Sequence, residues 1–151
     1  MGHPDHVTAP RPVPSAGVVI IDDGGRILLA RRSDDENWCL PGGRLEPGES
    51  FADCARRECS EELGFDVELE GIVAVLSNPA TQIHRYPNGQ TVQLVGVVFQ
   101  GHLGPRRGHG DGEVTAVDWF GPDQIPELEI MPADLPAIRH ALSPATTPLI
   151  D

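Results

Sequence analysis

The sequence predicts one α/β domain with a mixed β-sheet and few helices. Three observations lead there. The chain has 151 residues, the size of an ordinary single domain that buries enough surface to need no disulfide or metal staple. Short apolar runs rich in Val, Ile and Leu recur along it, while one stretch has sustained helical character. Gly (17) and Pro (15) are frequent, which favours turns over long continuous helices.

In chain order, residues 1–14 hold four prolines without hydrophobic periodicity and read as a flexible tail, so the domain is expected to span 15–143. The apolar runs 16–21 and 27–30, separated by Asp22-Asp23-Gly24-Gly25, read as a β-hairpin. A polar loop, 33–37, leads into Trp38-Cys39-Leu40-Pro41-Gly42-Gly43, where Gly and Pro argue against regular structure. Residues 50–63 predict a helix with Ser50 as N-cap, Asp53 three residues on and Gly64 as its stop. Strands are expected at 67–76 and 91–99, the second preceded by a turn at Tyr86-Pro87-Asn88-Gly89. Residues 102–112 read as a loop and 114–120 as another strand. Weaker helical pieces follow over 123–143, broken by Pro126, Pro132 and Pro136, and 144–151 reads as a frayed end.

The net charge is −12, and every basic residue is Arg. A chain without Lys has neither a Schiff-base nor a P-loop lysine. Its field repels polyanions, so no binding to duplex nucleic acid is expected. A small phosphate ligand would need local Arg, backbone N–H groups or metal ions to offset that charge. Cys39, Cys54 and Cys59 form no CxxC pair and read as packing residues. No apolar run approaches the ~20 residues that span a bilayer, and the first residues lack a signal-peptide core. The expectation is a soluble, cytoplasmic protein with no membrane partner, and nothing in the sequence excludes a homodimer. His84, His102, His109 and His140 show no ligand spacing, and Trp38 and Tyr86 read as packing aromatics, with stacking on a base as the alternative.

The chemistry concentrates on the predicted helix. Glu58, Glu61 and Glu62 lie within an arc of about 100° on one face. Like charges at these spacings cost a few tenths of a kcal/mol per pair. Their place near the helix C-terminus, where the dipole disfavours anions, adds to that cost. Convergent carboxylates without a neighbouring Lys suit a hard divalent cation, Mg²⁺ or alternatively Mn²⁺. Upstream, Gly42-Gly43 and Gly48 let backbone carbonyls turn toward an ion, and Pro41 and Pro47 stiffen the loop. Arg57 can pair with Glu49 or with Glu61. At the end of the 27–32 segment, strand alternation points one of Arg31 and Arg32 toward any cleft, where it can meet phosphate oxygens.

Taken together, Gly43-x5-Glu49-x7-Arg57-Glu58-Cys59-Ser60-Glu61-Glu62-Leu63-Gly64-Phe65 matches every fixed position of the Nudix box, G-x5-E-x7-R-E-U-x-E-E-x-G-U. Cys59 stands at the first bulky apolar position, a soft departure. The chain resembles the MutT-like Nudix hydrolases. Leu28-Leu29-Ala30-Arg31-Arg32, the Trp38–Gly43 lead-in and Trp119-Phe120 before Asp123-Gln124-Ile125-Pro126 are similar to flanking features of that family. The resemblance implies an α/β/α sandwich with a mixed β-sheet. It also implies metal-dependent cleavage of a pyrophosphate bond in a nucleoside diphosphate linked to another moiety. On that basis Glu58, Glu61 and Glu62 are expected as metal ligands with the Gly42 carbonyl, Glu58 doubles as general base, and Glu49 and Arg57 brace the loop. Glu113 is expected to add a metal-binding or base carboxylate from the loop before the 114–120 strand, with Asp111 as its competitor. A second glutamate common three residues before the Trp is replaced by Ala116. The expected substrate is a nucleoside triphosphate or nucleotide sugar, chosen by the segments 79–91 and 101–112. A nucleotide-binding sensor without turnover is the alternative.

Overall fold

The computed structural model describes residues 10–108, 110 and 112–151. Its larger sheet has six strands: β1 (Arg11–Ile20), β4 (Gly42–Arg44), β5 (Phe65–Leu76), β6 (Ile83–Arg85), β7 (Thr91–Arg106) and β9 (Leu149–Ile150). They run in the order β4-β1-β7-β5-β9, with β6 beside β7. The sheet is mixed: β1 is parallel to β7, while β5 is antiparallel to it. A smaller antiparallel sheet holds β3 (Trp38–Cys39), β2 (Ile27–Arg32) and β8 (Val114–Phe120).

Strand alternation distributes the core between two helices. Ala16, Val18 and Ile20 of β1 pack with Cys54, Ala55 and Cys59 of α1 (Phe51–Leu63). Val19, Ile27 and Leu29 pack with Ala137 and Ile138 of the helix Leu135–Ala141. Helix, sheets, helix: this is the α/β/α sandwich the resemblance implies. All three cysteines are free and buried, as their packing role requires.

The helix α1 forms as its signals predict. Ser50 Oγ accepts from the Asp53 N–H at 3.0 Å, and the Asp53 side chain accepts from the Ser50 N–H at 3.3 Å. At the other end Gly64, left-handed at φ 76, donates to the Ser60 carbonyl. Pro122–Glu127 and Pro132–Asp134 are 3-10 turns, the short pieces the prolines impose.

Several expectations are corrected. The Asp22–Gly25 turn exists, but its flanking runs are not a hairpin: β1 and β2 separate into different sheets beyond the Ile21–Ile27 bridge. Residues 11–14 are strand rather than tail, paired with Val92–Val95. The Pro14 carbonyl accepts from the Leu45 N–H, so Pro12 and Pro14, two residues apart, turn their missing donors away from β7. Gly42 and Gly43 form β4, because Gly42 (φ 155) lets the strand approach β1 where a Cβ would lie 2.4 Å from the Ala16 carbonyl oxygen. The loop expected from 102 is strand as far as Arg106, with Leu103 and Arg106 opposite Val67 and Phe65. His84 and His102 therefore stand in strands. The C-terminal residues are not frayed: Leu149–Ile150 pair with β5, and the Asp151 carboxylate accepts from the Ser77 and Asn78 N–H groups. Residues 1–9, His109 and Asp111 lie outside the described residues. No helix among the described residues is long and apolar enough to cross a membrane.

Candidate active site

Arg57 organises the site. Its Nε and Nη2 grip Glu49 through both oxygens, at 2.7 and 3.0 Å, and Nη2 also donates to the Arg44 carbonyl at 3.1 Å. Its Nη1 donates to Glu58 Oε1 at 2.9 Å and to Glu61 Oε2 at 3.2 Å. One guanidinium thus ties the glycine loop, its end at Glu49 and the acidic face of α1 together. The Arg57 hydrogen bonds hold the Glu49 carboxyl below the usual carboxylate range, and those to Glu49 raise Arg57 in turn.

The carboxylates of α1 are not equivalent. The Glu58 side chain is 13 % exposed and Glu62 is 9 % exposed, whereas the Glu61 side chain is 46 % exposed and turned to Arg57. Glu62 Oε1 accepts from the Gly42 N–H at 3.3 Å. The Glu58 carboxylate fills the space beside Gly43, where a Cβ would lie 2.5 Å from Oε1. Burial raises the Glu58 pKa, offset in part by its side-chain hydrogen bonding with Glu62 and by the hydrogen bond it accepts from Arg57.

Glu58 and Glu62 line a chamber of 450 Å³ together with Glu113, Arg32, Arg44 and Tyr86. Glu113 arrives from the connection between β7 and β8. That connection is anchored at its start by the Arg107 and Gly108 N–H groups on the Gly64 carbonyl, and at its end by the Ser33 N–H on the Glu113 carbonyl. Arg32 faces the chamber, its side chain 25 % exposed, and is held by Asp34 at 2.7 and 2.9 Å. Arg31 points outward to the Glu36 carbonyl. Behind the outer chamber lies a smaller, largely apolar one of 100 Å³, which shares Cys39, Gly42, Arg44 and Tyr86 with it and adds Leu40, Met131 and Asp134. The Asp134 carboxyl accepts from the Leu40 N–H at 2.9 Å, and burial pushes its pKa up to about 6.

The structure therefore brings Gly42, Glu58, Glu62, Glu113 and Arg32 into one cleft, uses Glu49 and Arg57 as its brace, and leaves Glu61 and Arg31 outside its lining. Among the described residues no three His, Cys, Asp or Glu side chains already form an ion cage. Trp38 packs edge-on against Phe120, as expected, but Tyr86 lines the cleft. Arg44 and Asp134, and the pairing of Tyr86 with Arg44, escape sequence reasoning, since each depends on a partner far along the chain, Arg44 and Tyr86 being 42 residues apart.

An α/β/α sandwich with a braced glutamate helix and an acid-lined cleft describes a class of hydrolase. The chain matches the NUDIX domain family over residues 11–141 and belongs to it; it is a Nudix-type pyrophosphohydrolase. It is 35% identical over 129 residues to a MutT-like protein of Streptomyces ambofaciens, covering 84% of this chain and 76% of that protein. It is 32% identical over 112 residues to a putative 8-oxo-dGTP diphosphatase of Bacillus subtilis (strain 168), covering 74% and 68%. Its fold superposes on the crystal structure of an ADP-ribose pyrophosphatase from Streptococcus suis 89-1591 with a TM-score of 0.72, at 24% identity, covering 93% and 99% of the two chains.

Proposed function

We propose that this protein hydrolyses a nucleoside diphosphate linked to another moiety, either a nucleoside triphosphate or a nucleotide sugar, with a divalent ion, Mg²⁺ or Mn²⁺. The observation that carries this reading is the shared chamber: the carboxylates of half-buried Glu58 and buried Glu62 with Glu113, alongside Arg32 and Arg44. A site for a neutral substrate would need neither charge. The relationship to a putative 8-oxo-dGTP diphosphatase favours the triphosphate.

The donor set fits a hard ion. It is all oxygen, as a hard divalent ion prefers, and Glu58 and Glu62 both face the chamber. Glu58 and Glu62 are placed to hold the ion, Glu113 can join from its loop, and Glu61 joins once released from Arg57. A bound divalent ion would neutralise phosphate charge and acidify the attacking water. The remaining work belongs to the chain. A Glu58 carboxylate oxygen takes the proton of the water that attacks phosphorus. The new P–O bond forms as the bridging P–O bond breaks, and the leaving phosphate departs with the bond's electron pair. Arg57 keeps Glu58 in place through its grip on Glu49. Three free buried thiols suit the reducing cytoplasm, where we place the protein.

The test is incubation with nucleoside triphosphates, 8-oxo-dGTP included, and nucleotide sugars in the presence of Mg²⁺, with products identified by mass spectrometry. Release of a nucleoside monophosphate supports the reading. Binding without turnover of any compound replaces it with a nucleotide-binding module, and turnover surviving exhaustive chelation removes the metal from it.

A further inference from the structure

Three arginines approach the cleft, and their charges are matched very differently. Arg57 is matched by Glu49, Glu58 and Glu61. Arg32 is matched by Asp34 at 2.7 Å and Asp35 at 3.7 Å. Arg44 forms no ion pair with any described carboxylate; its hydrogen bond runs from Nε to the Tyr86 hydroxyl at 3.2 Å. Its guanidinium also lies over the Tyr86 ring, with Cζ 4.9 Å from the centroid. Held by Nε and by its face, it keeps both Nη groups available as a planar fork.

Tyr86 is itself held. Its N–H donates to the Gln90 carbonyl, and its carbonyl accepts from the Gly89 N–H, closing the turn between β6 and β7. His84 packs edge-on against the ring, centroids 4.5 Å apart, and the buried Nε2 of that His has no hydrogen-bond partner. A neutral imidazole in that place serves as packing behind the ring. Arg44 and Tyr86 line both chambers.

We propose that Arg44 binds a phosphate group of the substrate and that Tyr86 is the positioning residue that holds the Arg44 guanidinium in the cleft. An anion entering a protein of net charge −12 gains most from a cation that surrenders water rather than a carboxylate. A planar guanidinium fork suits two phosphate oxygens, and the aromatic face below limits the rotamers lost on binding. The assignment makes the turn at 86–89 a determinant of substrate affinity. It rests on the proposed hydrolase reading for the identity of the substrate, and on the Arg44–Tyr86 geometry for the site.

Tyr86 is the chain's single tyrosine, so a protein with isotope-labelled tyrosine gives one ring signal set to follow by NMR. Inorganic pyrophosphate is titrated in chelator at constant ionic strength, and its affinity is measured by calorimetry in the native protein and in Arg44→Gln, Tyr86→Ala and Tyr86→Phe. The native ring signals should shift and saturate, and should stay still in Arg44→Gln. Affinity should fall about ten-fold in Arg44→Gln and Tyr86→Ala. Tyr86→Phe, which keeps the ring and the fold but loses the hydroxyl, should weaken binding about three-fold. For any nucleotide that is turned over, Tyr86→Phe should raise KM by the same factor and leave kcat within about two-fold. Unshifted native signals, or equal pyrophosphate affinity in native protein and Arg44→Gln, would overturn the phosphate assignment. Equal affinity in native protein and both Tyr86 variants would overturn the positioning role. Pyrophosphate binding that follows Arg44 while no nucleotide is turned over sinks the hydrolase reading and supports this one.

Discussion

Glu58 and Glu62 carry the largest functional consequences of single substitutions, because their carboxylates line the chamber while Glu61 is tied to Arg57 outside that lining. Glu58→Gln or Glu62→Gln should lower kcat about a hundred-fold or more. Metal-free thermal stability should hold or rise in Glu62→Gln, which removes like-charge repulsion on α1, and should fall slightly in Glu58→Gln, which also loses the ion pair with Arg57. Glu113→Gln, on a loop, should lower kcat about ten-fold. Steady-state kinetics with thermal denaturation of the same samples checks both, and normal turnover in all three variants would leave the carboxylates without a role. Asp134 gives a pH signature. Its folded pKa of about 6 stands above the ordinary 3.8, so the native state holds this proton more tightly than the unfolded chain does. The stability it contributes is complete below about pH 4 and is lost as pH rises through about 6. Relative to Asp134→Asn, the native protein should therefore lose stability across that window, by no more than about 3 kcal/mol. Denaturant titrations of the two proteins at pH 4, 5, 6 and 7 measure the difference, and a gap independent of pH would refute the assignment.

At the scale of elements, β4 and the loop behind it matter more than their length suggests. Three strand residues connect the sheet to the active helix: Gly42 against β1, Gly43 against the Glu58 carboxylate, and Arg44 through its carbonyl to Arg57. Gly42→Ala would force a Cβ to within 2.4 Å of the Ala16 carbonyl oxygen, so the strands must part. Unfolding free energy should fall by about 3 kcal/mol, near the upper range for strained backbone substitutions. Ser50→Ala, which removes one half of a reciprocal cap, should cost about 1 kcal/mol and leave the cleft intact. Chemical denaturation of both variants, with kinetics beside it, separates an element that shapes the site from one that merely stabilises its helix.

For the whole molecule the governing quantity is charge. A net −12 spread over 151 residues, with several carboxylates concentrated at one cleft, penalises the compact state through self-repulsion. A divalent ion that binds the folded cleft and not the unfolded chain should raise Tm with its concentration, as mass action requires. Monovalent salt should raise Tm by screening alone. The two are told apart at constant ionic strength: millimolar Mg²⁺ should still shift Tm in the native protein and lose that shift in Glu62→Gln. An identical shift in both proteins would mean that the ion acts on general charge and not in the cleft.

The sequence by itself determined the helix α1 and the chemistry on it. Ser50, Asp53 and Gly64 act within a few residues of one another, and the spacing of Glu58, Glu61 and Glu62 places them on one helical face wherever that helix packs. Local signals of this kind survive without tertiary context. Tertiary structure decided the rest, because a sheet is made of partners distant in sequence. Whether 16–21 and 27–30 paired or parted depended on β7 and β8, which arrive many residues later. The glycines at 42 and 43 became strand because β1 lay close enough to accept them. The last residues found order against β5. The same holds at the site. Which of two adjacent arginines faced the cleft, which of three glutamates stayed outside its lining, and that Arg44 would meet Tyr86 were settled only when the sheets and the β6–β7 turn closed around the chamber. The counterions close in sequence, Asp34 for Arg32 and Glu61 for Arg57, were written in the chain, whereas packing supplied the Tyr86 hydroxyl that holds Arg44.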